Sequence, residues 1–123
     1  MHTVAKRRMA SVAGMIVMAA MLEHLSVSAS AHKADSGWTY PPACCHGDPM
    51  TGECSSIPGT TVTPTPDGYV IILRPGDHRR VTHQDRYFVP YDSVIPSGDD
   101  NFHICLHPTE EHENCFFAPA ETM

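Results

Sequence analysis

Three features of the sequence predict a small all-β domain. Short β-branched or aromatic runs recur, turn signals separate them, and past the N-terminal leader no window of about eleven residues keeps a 3.6-residue apolar period. The expected architecture is a disulfide-stapled barrel or sheet, with an SH3-like barrel as one form, preceded by an irregular N-terminal lead-in.

The leader is distinct from the domain. Lys6, Arg7 and Arg8 precede an apolar run from Met9 to Leu22, and a polar stretch ends in Ala29-Ser30-Ala31. A charged start, an apolar middle and a small-x-small site define a secretory signal peptide, so residues 1–31 are expected to be removed. Glu23 and His24 stop the run well short of the ~20 apolar residues a spanning helix needs. No membrane anchor is therefore expected after cleavage. The first cysteine, Cys44, is too far from the cleavage point for lipid attachment there. Residues 32–123 form a single small secreted domain, periplasmic or extracellular.

Within that domain, residues 32–58 are rich in Pro, Gly, Ser and Cys and are expected to be irregular, with Trp38 and Tyr40 anchoring them to the core. GTTVTPTP (59–66) is an extended connector, because each proline removes a ladder donor. Asp67-Gly68 turns the chain into Tyr69–Leu73, an apolar run too short for a helix and hence a buried strand. After the Pro75-Gly76-Asp77 turn, Arg80–His83 and Arg86–Val89 are expected as short strands. YDSVI fits one helical turn or an extended link. Phe102–Leu106 and Cys115–Ala118 are expected as an antiparallel pair closed by an acidic loop.

Charge narrows the partners. The segment 32–123 carries five basic and thirteen acidic residues, a net −8. Phosphate binding needs a basic surface, so nucleic acid is excluded as a partner and anionic membrane is disfavoured. Four of the five cations, Arg74, Arg79, Arg80 and Arg86, nevertheless fall in one segment and form a candidate anion- or partner-binding patch. No phosphate loop and no nucleophile elbow appear, so no enzyme is expected.

Five cysteines, Cys44, Cys45, Cys54, Cys105 and Cys115, allow two bridges and leave one thiol. A domain this small buries little core, and removing a bridge from one typically costs ~2–5 kcal/mol, so the cysteines are expected to be staples. Neighbouring cysteines rarely pair. The local pairings Cys45–Cys54 and Cys105–Cys115 are favoured, with Cys44 as the candidate free thiol. The rival arrangement ties Cys44 or Cys54 to the C-terminal strands. Redox catalysis lacks its C-x-x-C spacing.

Metal binding is the second expectation. Period-2 alternation puts His103, Cys105 and His107 on one strand face. Cys105-x-His107 and His112-x-x-Cys115 have zinc-compatible ligands, although oxidised cysteines could not serve. If cleavage follows Ala31, His32 becomes N-terminal, and its amine and imidazole suit Cu(II), with His46 or a strand histidine completing the set. The candidate ligands are thus His32, His46, His103 and His107, for copper or zinc; the leading expectation is no cofactor.

HKADSGWTYPPACC, PDGYV, HRRVTHQDRYFVP, FHICLHPT and CFFAP together resemble a group of small exported alphaproteobacterial proteins with a post-signal histidine, W-x-Y-P, C-C-x-G and a terminal C-x-F-x-P strand. The resemblance spans nearly all of 32–123 and implies that the five cysteines matter together. It carries no activity or ligand. The group's short CCSGxDC element is longer here, CCHGDPMTGEC, so no cysteine pairing transfers. The expected function is a non-enzymatic binding or envelope-associated module with an unidentified protein or envelope component as partner, and copper or zinc binding as the alternative.

Overall fold

The computed structural model describes residues 32–45 and 53–123. The signal peptide expected over 1–31 and the candidate ligand His46 lie outside the described residues. Seven strands follow in order: β1 (Cys54–Ile57), β2 (Val62–Thr65), β3 (Gly68–Leu73), β4 (Asp85–Pro90), β5 (Ile95–Pro96), β6 (Phe102–Leu106) and β7 (Glu113–Ala118). Single 3-10 turns at Gly59–Thr61, Tyr91–Ser93 and Ala120–Thr122 connect or end them.

The strands form two sheets. One has the order β1-β6-β7-β5 and the other β2-β3-β4. All neighbours are antiparallel except β5 and β7. Among the described residues both sheets keep free edges, and they do not close into an SH3-like barrel. Pro64 sits on β2, an edge strand, where a missing ladder donor costs least.

Alternation along the strands builds two apolar layers. Tyr69, Ile71 and Leu73 of β3, with Tyr87 and Val89 of β4, meet Ile104 and Leu106 of β6 and Phe116 and Ala118 of β7. That cluster is the core between the sheets. The opposite face of the four-stranded sheet carries Cys54, Cys105 and Phe117, and the lead-in covers it with Ala34, Tyr40, Cys44 and Cys45. The four-stranded sheet is thus the middle of three layers. Its central strands have buried residues in succession because both faces are covered.

Two expectations need correction. Residues 32–58 are not irregular throughout, since β1 occupies 54–57 and pairs with β6. Arg80–His83 forms no strand. The Asp77 carboxylate accepts the Arg74 amide and the Val81 amide bonds to the His78 carbonyl, so the segment turns instead. Only Val81 of that segment is buried, as a single plug in the inter-sheet core. Tyr69–Leu73, Arg86–Val89, the β6–β7 pair and the turn at Tyr91 lie where the sequence predicts them.

At Gly68 the backbones approach closely. A Cβ there would lie 2.2 Å from the Val89 carbonyl oxygen, so no side chain fits at the start of β3.

Candidate functional site: a cysteine cluster beneath the lead-in

Register gathers the cysteines. Cys54 of β1 faces Cys105 of β6, and Cys105 faces Cys115 of β7. The three form a row across the sheet, and the lead-in lays Cys44 and Cys45 over it. The bridges are Cys44–Cys115 and Cys54–Cys105, and Cys45 is the free, buried thiol. This corrects the local pairing expected from sequence and follows the rival arrangement. The reason is β1: once 54–57 is a strand beside β6, Cys54 is directly opposite Cys105. Cys115 is then left for Cys44, whose carbonyl accepts a hydrogen bond from the Asn114 side chain at 2.9 Å.

Cys45 is not removed from the bonded cysteines. Its Sγ lies 2.6 Å from Sγ of Cys54, and the Sγ atoms of Cys45, Cys54 and Cys105 all fall within 4.8 Å of one another. Burial pushes the Cys45 thiol up to about 12, and the nearby Glu53 carboxylate adds to the shift. Glu53 is itself buried and is paired through Oε1 with Nδ1 of His107. Cys45 is therefore a protonated thiol at neutral pH, held against a disulfide.

A second constellation lies beside it. The Ser36 hydroxyl donates to Oδ2 of Asp99 at 2.5 Å, and Oδ1 of Asp99 is 2.7 Å from Nε2 of His103. Tyr40 Oη is 2.8 Å from Nδ1 of His103. With Nε2–H donating to Asp99, Nδ1 accepts the Tyr40 hydroxyl proton. Burial opposes the charge on Asp99, but bonds from Ser36, His103 and the Asn101 amide outweigh it and lower its pKa to about 2. Burial raises the Tyr40 pKa far above its ordinary value, with Cys45, Asp99 and Asp35 adding to it. A hydrolytic triad would place its nucleophile on the histidine. Here the serine bonds to the aspartate, and His103 is 1 % exposed under the edges of Trp38 and Tyr40. The chain Ser36–Asp99–His103–Tyr40 fastens the lead-in to the sheet.

The described histidines of the expected metal set have other partners. His103 has both ring nitrogens engaged, and His107 is paired with Glu53. His32 lies edge-on to Tyr40 at 5.6 Å between ring centroids. The described members of the set do not meet at one point. Cys105 and Cys115 are oxidised to different partners, so neither offers a thiolate to a metal.

The sequence reading missed two features. His83 has Nε2 3.2 Å from Asp85 and Nδ1 3.0 Å from Glu110, on the surface. The Thr82 hydroxyl and amide both bond to Glu110 and hold its carboxyl below the ordinary range. The other omission is Asp99. Its position four residues before His103 was the available signal.

The cationic patch is dispersed. Arg80 donates to the Pro108 carbonyl at 2.8 Å, and Arg79 stands 4.0 Å from Asp35. Arg74 and Arg86 are exposed, Arg86 opposite Ile72 in the β3–β4 ladder. Comparison with known proteins adds no relative: no protein-family model, curated protein or solved structure matches the chain.

Proposed function

We propose that the chain is an exported, non-enzymatic binding module that docks a protein or envelope component on the outer face of its three-stranded sheet. The observation that carries this reading is the composition of that face. Phe88 is 47 % exposed opposite Val70, and Arg86 is opposite Ile72. Neither Val70 nor Ile72 belongs to the inter-sheet core, whose β3 members are Tyr69, Ile71 and Leu73. An apolar strip with a guanidinium at its edge suits a partner that offers apolar and carboxylate groups. Export is supported by the leader sequence and by two disulfides, which persist in oxidising compartments. Among the described residues no helix is long and apolar enough to cross a membrane.

The test compares retention of the purified protein on washed envelope fragments of the producing cell with that of a Phe88→Ser, Arg86→Ser variant. Both side chains are exposed, so circular dichroism should be unchanged. Wild-type retention and a loss of at least fivefold in the variant are expected. Equal retention of the two, or no retention of either, overturns the reading.

One observation favours a second reading. His83, Asp85 and Glu110 offer an imidazole and two carboxylates whose ligand atoms lie within 4.8 Å, a donor set that suits zinc or another divalent ion. Calorimetric titration with Zn²⁺ should then give one site that His83→Ala removes; an unchanged isotherm rejects it.

A further inference from the structure

Independently of what the outer face binds, we infer that Cys45, Cys54 and Cys105 form a thiol–disulfide exchange centre in which Cys45 attacks Cys54 and releases Cys105. The placement of three sulfurs carries this. Cys45 Sγ is 2.6 Å from Cys54 Sγ, the atom bonded to Cys105, and all three Sγ atoms lie within 4.8 Å. The attacking thiol, the sulfur it attacks and the leaving group are thus already assembled, and none of the three has to cross the fold.

The step balances without an added reagent. A Cys45–Cys54 bond forms as the Cys54–Cys105 bond breaks. The proton lost by Cys45 is recovered by Cys105, and no net oxidation or reduction occurs. Cys105 is fully buried on β6 and Cys45 is buried between the lead-in and the sheet, so both end states keep their free thiol out of solvent. What changes is covalent topology. Before exchange β1 is tied to β6 across 51 residues of chain; afterwards it is tied to the lead-in across nine. Cys44–Cys115 still holds the lead-in to β7 in both states. The centre moves one staple between the sheet and its cover while the other keeps them together.

Protonation sets the rate. Exchange proceeds through the thiolate, which is scarce for a thiol raised by burial and by the Glu53 charge. The Tyr40 phenol, also close to Cys45, would hinder the thiolate further once ionised. Exchange should therefore be slow near neutrality and faster between about pH 8 and 9, where the thiolate fraction increases and Tyr40 remains protonated.

The test locates the free thiol over time. Folded protein is incubated at pH 7 or pH 9, quenched with acid, and unfolded in acid. It is then alkylated with a maleimide active at low pH and mapped by peptide mass spectrometry. Label confined to Cys45 at early times and divided between Cys45 and Cys105 later, sooner at pH 9, is the expected result. Cys45→Ser should abolish labelling at Cys105. Label that remains wholly on Cys45 throughout, or appears on Cys105 in Cys45→Ser, overturns the proposal. A Cys105→Ala variant provides a trap, because Cys45 and Cys54 are then two thiols in contact and should join on mild oxidation. Failure of that bridge to form in protein that retains Cys44–Cys115 also overturns it. Should the variant not fold, the wild-type time course decides.

Discussion

Gly98 shows how much one hydrogen atom can decide. A Cβ there would stand 2.0 Å from the Trp38 ring, so the indole seats directly on the glycine backbone. Trp38 in turn lies edge-on to Tyr40, His103 and Phe117, with centroids 4.9–5.1 Å away. Gly98→Ala should displace the indole, because a Cβ 2.0 Å from the ring cannot be accommodated unless the half-buried ring moves. It is the chain's single tryptophan, so its fluorescence reports the event directly. Emission should shift to the red, with a loss of about 1–3 kcal/mol in urea unfolding. Tyr40→Phe tests the neighbouring bond. It keeps the ring but leaves Nδ1 of the buried His103 without its donor, which should cost about 1–3 kcal/mol. Ser36→Ala, whose bond to Asp99 is exposed, should cost less in the same assay.

At the scale of elements, the lead-in depends on Cys44–Cys115 for its covalent hold on the sheet. In the loop-entropy account, a bridge closing about 70 residues restricts the unfolded chain by ~4 kcal/mol, against nearer ~3 for one closing about ten. The Cys44→Ser, Cys115→Ser double variant should lose about 2–5 kcal/mol, and protease should cut first within 32–45. Preferential cleavage elsewhere would show that hydrogen bonds and rings alone hold that segment. The same elements mark what sequence could reveal. β3, β4, β6 and β7 were legible because their apolar and aromatic residues alternate or run together between turn signals. β1 was not: CSSI has two serines and no alternation, and it becomes a strand only because β6 offers it a ladder. That one omission misdirected the disulfide pairing, since the partner of Cys105 depends on which strand lies beside β6. Trp38 and Tyr40 were legible as anchors by their size. Asp99, the partner of Ser36 and His103, was not, because its bond from Ser36 spans 63 positions.

Across the whole molecule, three groups set the pH range of stability: the buried His78 and Cys45 and the half-buried Asp99. Asp99 has its pKa lowered from 3.8 to about 2, so its contribution is present above pH 3.8 and is lost as pH falls toward 2. His78 has its pKa lowered from 6.5 to about 4 by burial, while Arg79 and Arg80 further disfavour its charge. It folds best as the neutral ring, with Nδ1 accepting the Arg80 amide, and its contribution is lost as pH falls from 6.5 toward 4. Cys45 has the opposite dependence: its pKa is raised from 9.0 to about 12, so its contribution is whole below pH 9 and is lost above it. Urea midpoints measured from pH 2 to 11 should therefore form a plateau between about pH 6.5 and 9 and fall on both sides. His78→Gln should reduce the decline between pH 6.5 and 4, and Asp99→Asn the one below pH 4. Cys45→Ala should extend the plateau upward from pH 9 until Tyr40 and Tyr87, whose pKa values burial also raises, begin to exact the same cost above pH 10. A Cys45→Ala profile that turns down at pH 9 as wild type does would place the alkaline limit elsewhere, and would remove the buried thiol from the account of stability.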